Sequence, residues 1–444
     1  MSSRGESVFR GGTILTIDPQ HRVLAGDVAT VDGAIVHVGG AYTPQTHDYT
    51  ILDCAGCVVM PGIVQAHVHT CQTLARGRAD DLELLDWLRQ VIWPYEAALD
   101  EAAASAAGEL ACAELLLGGT TAILDMATVH HTDAIFGAAE RSGLRATIGK
   151  AMMDADDPHI PPGLRESTSA SLDDSARLAK TWHGAANGRL RYAYAPRFVL
   201  SCTDELLREV GVQAKQRGLG IHTHASENQG EVALVRARFG KPNIEVLDEL
   251  GLLGPHTCIA HAVHLSPEER ALLAARGAHV CTCPSSNLKL ASGICALPEL
   301  IAAGVSCALG ADGAPCNNNL DGFHELRLVA LLHKPRSGPR TLPAPEAVRL
   351  ATAGGAAALG LADQIGSLEV GKRGDVIAVD VTALHVLPAA SPWSQIAYAA
   401  NACDVRHVAV DGTVVVRDRT LLTLELARVR DAAKQAAARL FKPG

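Results

Sequence analysis

The sequence predicts an α/β protein: a distorted (β/α)8 barrel of the TIM type, joined to a small β-sandwich built from both ends of the chain. Three observations predict it. Eight short apolar runs recur between residues 58 and 310, most of them separated by stretches rich in alanine and leucine. That alternation of strand and helix builds a parallel barrel. The two ends share a different texture, of short β-rich runs broken by turns. Finally, histidines and an aspartate stand at the C-terminal ends of the apolar runs, the face on which such barrels carry their chemistry.

Taken in order, residues 1–58 contain Gly12-Thr13-Ile14-Leu15-Thr16-Ile17 and Ala34-Ile35-Val36-His37-Val38-Gly39. Residues 59–365 are assigned to the barrel. Its strands are expected at 58–66, 121–126, 146–152, 191–195, 220–224, 258–264, 278–283 and 305–310, with helices such as Glu101–Leu117 and Pro267–Arg276 between them. The β texture returns over residues 366–424, in Asp375-Val376-Ile377-Ala378-Val379-Asp380, His407-Val408-Ala409-Val410 and Val414-Val415-Val416, and pairs with the first segment. Residues 425–444 end the chain in a helix that caps the surface.

Composition bounds the function. The chain has 444 residues, 48% hydrophobic and 20% charged, enough for a sizeable core. A formal net charge of −9 without a basic stripe argues against a nucleic-acid partner. No apolar run reaches the roughly 18 residues of a membrane span. Met1-Ser2-Ser3-Arg4-Gly5-Glu6-Ser7 has no apolar export segment, so a cytoplasmic location is expected. The 12 cysteines lie scattered in apolar segments and read as small core residues of a reducing compartment. Cys54-Ala55-Gly56-Cys57 has C-x-x-C spacing but no second pair to complete a metal site.

The chemistry lies in the strand ends. His67 and His69 are two residues apart, so a strand turns both imidazoles to one face. His222 and His224 repeat the spacing after another apolar run, and Asp312 follows a third, Val305-Ser306-Cys307-Ala308-Leu309-Gly310-Ala311. Imidazoles and a carboxylate form the ligand set of a borderline divalent metal. Most of the 19 histidines, among them His130, His131, His159, His183, His324 and His333, read as solvated or packing residues.

This order of motifs resembles the amidohydrolase superfamily, over essentially the whole chain. Gly366-Ser367-Leu368-Glu369-Val370-Gly371-Lys372-Arg373-Gly374-Asp375 is similar to the segment that leads that family from barrel back to sandwich. The resemblance implies that His67, His69, His224 and Asp312 ligate the metal. Of the second pair, only His224 has Glu227 three residues on, matching the family's HxxE pattern. Two-metal members carry a bridging lysine on the fourth strand. Here that strand ends Tyr194-Ala195-Pro196-Arg197, and Lys150 sits one strand earlier, so one metal is expected: zinc, with iron the alternative. Zinc lowers the pKa of a bound water to about 7. Glu227 is then the proton shuttle, Asp312 takes the water's first proton, and His261 orients the nucleophile.

Residues 79–96, with Trp87 and Glu96, resemble S-adenosylhomocysteine/methylthioadenosine deaminases. So do residues 283–293 (Cys283-Pro284-Ser285-Ser286-Asn287) and 310–318. The resemblance implies release of ammonia from an adenine nucleoside: S-adenosylhomocysteine, methylthioadenosine, 5′-deoxyadenosine or adenosine. It also implies that Glu96 holds the ribose hydroxyls, that Trp87 flanks the ligand and that Arg165 reaches its 5′ tail. One residue departs. Arg197 stands where that family has a purine-contacting histidine, and Pro196-Arg197-Phe198-Val199-Leu200-Ser201-Cys202 is similar to guanine deaminases, as is the placement of Gln72. A guanidinium prefers an oxygen acceptor. The alternative substrate is therefore a free oxo-purine, a pterin or an s-triazine. The expected partner is a small heterocyclic amine, without nucleic acid or membrane, and a homo-oligomer stays open. A superfamily member that had lost catalysis would lack these ligands, and this chain has all four.

Overall fold

Eight parallel strands follow one another around a ring: β1 (Ile63–His69), β2 (Thr120–Met126), β3 (Arg145–Gly149), β4 (Leu190–Pro196), β5 (Gly220–Ala225), β6 (Thr257–His261), β7 (His279–Thr282) and β8 (Ser306–Leu309). The computed structural model describes residues 5–388 and 390–441, so the expected ends at 1–4 and 442–444 lie outside the described residues. The ring closes through the chain itself. After Gly310 and Ala311, Asp312 and Gly313 pair in parallel with Val68 and His69 of β1. The last strand thereby delivers Asp312 beside the His67–His69 pair. The register slips along β1–β2, and β4 meets β5 over only Ala193–Gly220 and Tyr194–Ile221, which distorts the barrel. The helices Glu101–Leu117 and Pro267–Arg276 stand where the sequence places them.

Three expected strands are cut short, each for a physical reason. The run at 58–66 is two strands, Cys57–Pro61 and β1, parted at Gly62. A Cβ there would sit 2.0 Å from Thr121 Oγ1, so only glycine lets the chain pass from one sheet to the other. The run at 146–152 breaks at Lys150, whose buried ammonium turns to both carboxylate oxygens of Glu166 at 2.7 and 2.8 Å. The run at 258–264 stops at His261, where φ is +73°, followed by Ala262 at +49°. Apolar patterning cannot register such a left-handed turn.

The chain ends form one nine-stranded mixed sheet rather than two separate ones. Val376–Asp380 runs antiparallel to Cys57–Pro61 and so knits the C-terminal strands to the N-terminal ones. The sheet bends over its own core of Phe9, Ile14, Val28, Ile35, Leu52 and Val376. Its two halves come so close that a Cβ on Gly412 would lie 2.7 Å from Gly33 Cα. This sandwich is fastened to the barrel floor by Arg145, at the start of β3, which grips Asp375 through two hydrogen bonds of 2.8 Å. The final helix, Leu426–Leu440, lays Val429, Ala433 and Ala436 against Glu101–Leu117, and Arg428 pairs with Glu109. Among the described residues, no helix is long and apolar enough to cross a membrane. All 12 cysteines are unpaired and all but Cys403 are buried. Burial pushes the Cys57 thiol up to about 11 and raises that of Cys54 as well.

Candidate metal centre and active site

At the carboxyl ends of β1 and β5, one nitrogen each from His67, His69 and His224 lie within 4.8 Å of one another, and a second such group joins His67 to His261 and Asp312. The other ring nitrogen of each candidate ligand is already engaged. His67 Nδ1 faces His222 Nε2 at 2.8 Å. His69 Nδ1 lies 2.7 Å from the carbonyl oxygen of Met126, and His224 Nδ1 2.7 Å from that of Arg197. Each Nδ1–H can donate outward, which leaves the Nε2 lone pairs turned to a common point. His67 Nε2 is buried there without a hydrogen bond. Asp312 Oδ1 lies 3.3 Å from His67 Nε2 and 3.5 Å from His69 Nε2.

Burial holds these imidazoles neutral, lowering His67, His222 and His224 and taking His69 down to about 3. Neutral imidazole is the ligating form. Burial by itself would raise the Asp312 carboxyl, but the close imidazoles of His67, His261 and His69 keep it well below the carboxylate range. Three free Nε2 atoms and one carboxylate fit a divalent cation such as zinc. Within the second pair, His224 turns its Nε2 to the centre and His222 supports His67.

Beside this centre, Glu227 Oε2 lies 3.5 Å from His261 Nε2, which is 3.9 Å from Asp312 Oδ2. Burial pushes the Glu227 carboxyl up to about 7 against the opposing pull of His261. Burial lowers His261, but Glu227 and Asp312 outweigh it and leave the imidazole raised. A carboxyl balanced near neutrality can both give and take a proton. Two of these three residues sit in left-handed backbone, His261 at φ +73° and Asp312 at +62°, an arrangement that persists only where surrounding structure enforces it. Glu231, one turn beyond Glu227, accepts from Glu227 N at 2.9 Å.

The substrate side is an apolar cavity walled by Leu84, Trp87, Leu88, Phe198 and Leu290, with His224, Glu227 and Arg197 at its floor. Trp87 is buried there, and its indole N–H makes no hydrogen bond. Glu96, Arg197 and Gln72, from three different segments, form one buried cluster. Arg197 donates to both Glu96 oxygens, at 2.5 and 3.2 Å, and Gln72 Nε2 donates to Oε1 at 2.8 Å. Arg165 does not join it. Its guanidinium donates to the carbonyls of Ile160 and Asp157 in its own loop.

The structure thus brings Glu227, His261, Asp312, His67, His69 and His224 to one point, with Trp87 and Arg197 beside them. No sequence motif singles out the residues that hold these: Ser286, Asn287, Ser292 and Glu231. Ser286 and Asn287 stood in the segment similar to adenosine-type deaminases. Glu231 carried the signal of a second carboxylate one helical turn after Glu227.

An eight-stranded barrel whose strand ends gather three neutral imidazoles, an aspartate and a poised carboxyl defines a metal-dependent hydrolase. The chain belongs to the amidohydrolase family, whose model matches residues 58–415. It is 40% identical, over the full length of both chains, to a 5-methylthioadenosine/S-adenosylhomocysteine deaminase of Syntrophobacter fumaroxidans. To a 5′-deoxyadenosine deaminase of Methanosarcina acetivorans it is 37% identical over 98% of each. Among solved structures it resembles a zinc-bound adenosine deaminase from Xanthomonas campestris, with a TM-score of 0.91, 34% identity and 98% coverage of both chains.

Proposed function

We propose that this protein is a zinc-dependent aminohydrolase that removes the 6-amino group of an adenine nucleoside as ammonia, the candidates being methylthioadenosine, S-adenosylhomocysteine, 5′-deoxyadenosine and adenosine. The observation that carries this reading is the triad Glu227–His261–Asp312, its charged atoms 3.5 and 3.9 Å apart beside His67, His69 and His224. The names of the relatives point to the same reaction.

One zinc ion held by His67, His69, His224 and Asp312 would supply a Lewis acid that makes water nucleophilic at neutral pH. Asp312 Oδ2 takes the first proton of the attacking water. Glu227, poised near neutrality, gives its proton to the ring nitrogen beside the attacked carbon and takes the remaining proton of the attacking oxygen, while the proton held by Asp312 passes to the departing amine, so both carboxyls end as they began. His261 Nε2 stabilises negative charge on the attacking oxygen. The balance is water plus aminopurine to oxopurine plus ammonia. Trp87 and the leucines around it pack the purine and its 5′ substituent and exclude water. Glu96 receives the ribose.

A second reading follows from Arg197, whose guanidinium suits a ring carbonyl. On that reading the substrate is a free oxo-purine, a pterin or an s-triazine. Ammonia release from the zinc-loaded protein against the four nucleosides, guanine, 8-oxoguanine, a pterin and melamine decides between them. Nucleoside turnover supports the first reading, and turnover of free bases alone replaces it with the second.

A further inference from the structure

We propose that Ser286 and Asn287 are a pair of positioning residues that fix the two reacting side chains across the barrel mouth: Ser286 sets the rotation of Asp312, and Asn287 sets the orientation of His261. The chain leaves β7, turns at Cys283 and begins the short helix Pro284–Lys289, whose buried side presents both residues to the site. Ser286 Oγ donates to Asp312 Oδ2 at 2.6 Å. Asn287 Oδ1 lies 2.9 Å from His261 Nδ1. Ser286, Asn287 and His261 are at most 1% exposed, so water does not compete for these bonds.

The geometry divides the labour of the Asp312 carboxylate. Oδ1 faces the Nε2 atoms of His67 and His69 at 3.3 and 3.5 Å, whereas Oδ2 faces His261. A carboxylate can rotate and exchange its two oxygens. The short, charge-assisted bond from Ser286 to Oδ2, opposite the Gly313 N–H that donates to Oδ1 at 2.7 Å, holds Oδ2 on the proton-transfer side. Across the mouth, His261 ends β6 in left-handed backbone, and its ring finds its partner outside that strand. With Asn287 Oδ1 accepting from Nδ1–H, Nε2 points at Glu227 Oε2 and Asp312 Oδ2. Adjacent residues on one rigid turn therefore register two residues from separate strands, 26 positions away in each direction. Neither Ser286 nor Asn287 lines the substrate cavity itself; each reaches it through Asp312 or His261.

The proposal rests on the nucleoside reading for its kinetic test and on the metal site alone for its spectroscopic one. The variants are Ser286→Ala, Asn287→Leu and Asn287→Asp, each loaded with zinc and assayed with methylthioadenosine. Outer partners of this kind are worth roughly 10- to 100-fold in activity. Ser286→Ala and Asn287→Leu are expected to lose that much kcat per bound zinc while KM moves less than about threefold. Asn287→Asp keeps the acceptor oxygen and is expected to recover most of the loss. In the cobalt(II)-substituted protein, without substrate, Ser286→Ala is expected to shift the visible absorption bands because Asp312 turns, and Asn287→Leu to leave them unchanged.

Wild-type kcat per zinc in both truncations, or failure of Asn287→Asp to exceed Asn287→Leu, overturns the proposal. So does an unaltered cobalt spectrum in Ser286→Ala. If the wild type turns over no nucleoside, the functional reading fails and the cobalt spectra still decide the role of Ser286.

Discussion

Arg197 and Glu96 form a buried two-point ion pair, Nη1 to Oε2 at 2.5 Å and Nη2 to Oε1 at 3.2 Å. Both residues are at most 4% exposed. With Gln72 Nε2 also on Oε1, three donors occupy a carboxylate that offers about four lone-pair sites. Glu96 is thereby aimed and rigid, but it has little capacity to spare. A vicinal diol must share with Arg197 or displace it. Glu96→Gln is expected to lower kcat/KM for nucleosides by roughly 10- to 100-fold, the value of one charge-assisted hydrogen bond, with far smaller losses on any free base. Equal losses on both substrates, read from parallel kinetics, would remove Glu96 from the ribose. Glu96→Ala leaves Arg197 buried and unpaired and should cost about 3–5 kcal/mol of stability, visible in a denaturant titration.

His222 is buried against His67 at 2.8 Å and fixes which nitrogen of that ring faces the centre. His222→Ala should weaken zinc binding by roughly 10- to 100-fold in a chelator competition, as is usual for the outer partner of a metal-binding histidine. An unchanged zinc affinity would show that His67 needs no such support.

Glu227→Gln preserves the size of the side chain and removes its proton chemistry. The variant should bind zinc at wild-type stoichiometry by elemental analysis and lose about 10²- to 10⁴-fold in kcat. Near-wild-type turnover would take Glu227 out of the proton-transfer role.

Glu325, buried where it accepts from Ser285 N and Asn317 Nδ2, is pushed by burial from 4.5 up to about 7. The folded chain therefore holds a proton that the unfolded chain releases at lower pH. Its contribution to stability is complete below pH 4.5 and is lost as pH rises through about 7. Glu325→Gln should flatten the decline of Tm with pH across that window. An unchanged slope in thermal scans from pH 4.5 to 7 would assign the dependence to other groups.

The legible part of this molecule is the part set by local periodicity. The period of two in His67-Val68-His69, the apolar runs and the alanine-rich helices carry the barrel, and the barrel carries the strand-end residues to one face. Residues joined only by tertiary geometry were not legible. His222, with no glutamate three residues on, falls outside the ligand set in the sequence, and only the packing of its ring on His67 shows what it does. Ser286 meets Asp312 because Asp312 adopts φ +62° after the break in β8, a turn no pattern announces. The resemblance implies a 5′-tail role for Arg165, whereas in space its guanidinium donates to carbonyls of its own loop. Gly62 and Lys150 interrupt strands that look continuous in sequence, the one by close approach to Thr121 and the other by its pairing with Glu166.

On the proposed function, deamination of an adenine nucleoside depends on a metal at the His67, His69, His224 and Asp312 centre. The most direct measurement follows methylthioadenosine with the zinc-loaded protein, quantifying ammonia and the oxopurine nucleoside together, before chelation, after chelation and after zinc is restored. Equal amounts of the two products, loss of both on chelation and recovery of both with zinc are expected. Intact nucleoside after exhaustive incubation with fully loaded protein, or turnover indifferent to chelation, would contradict the proposed function.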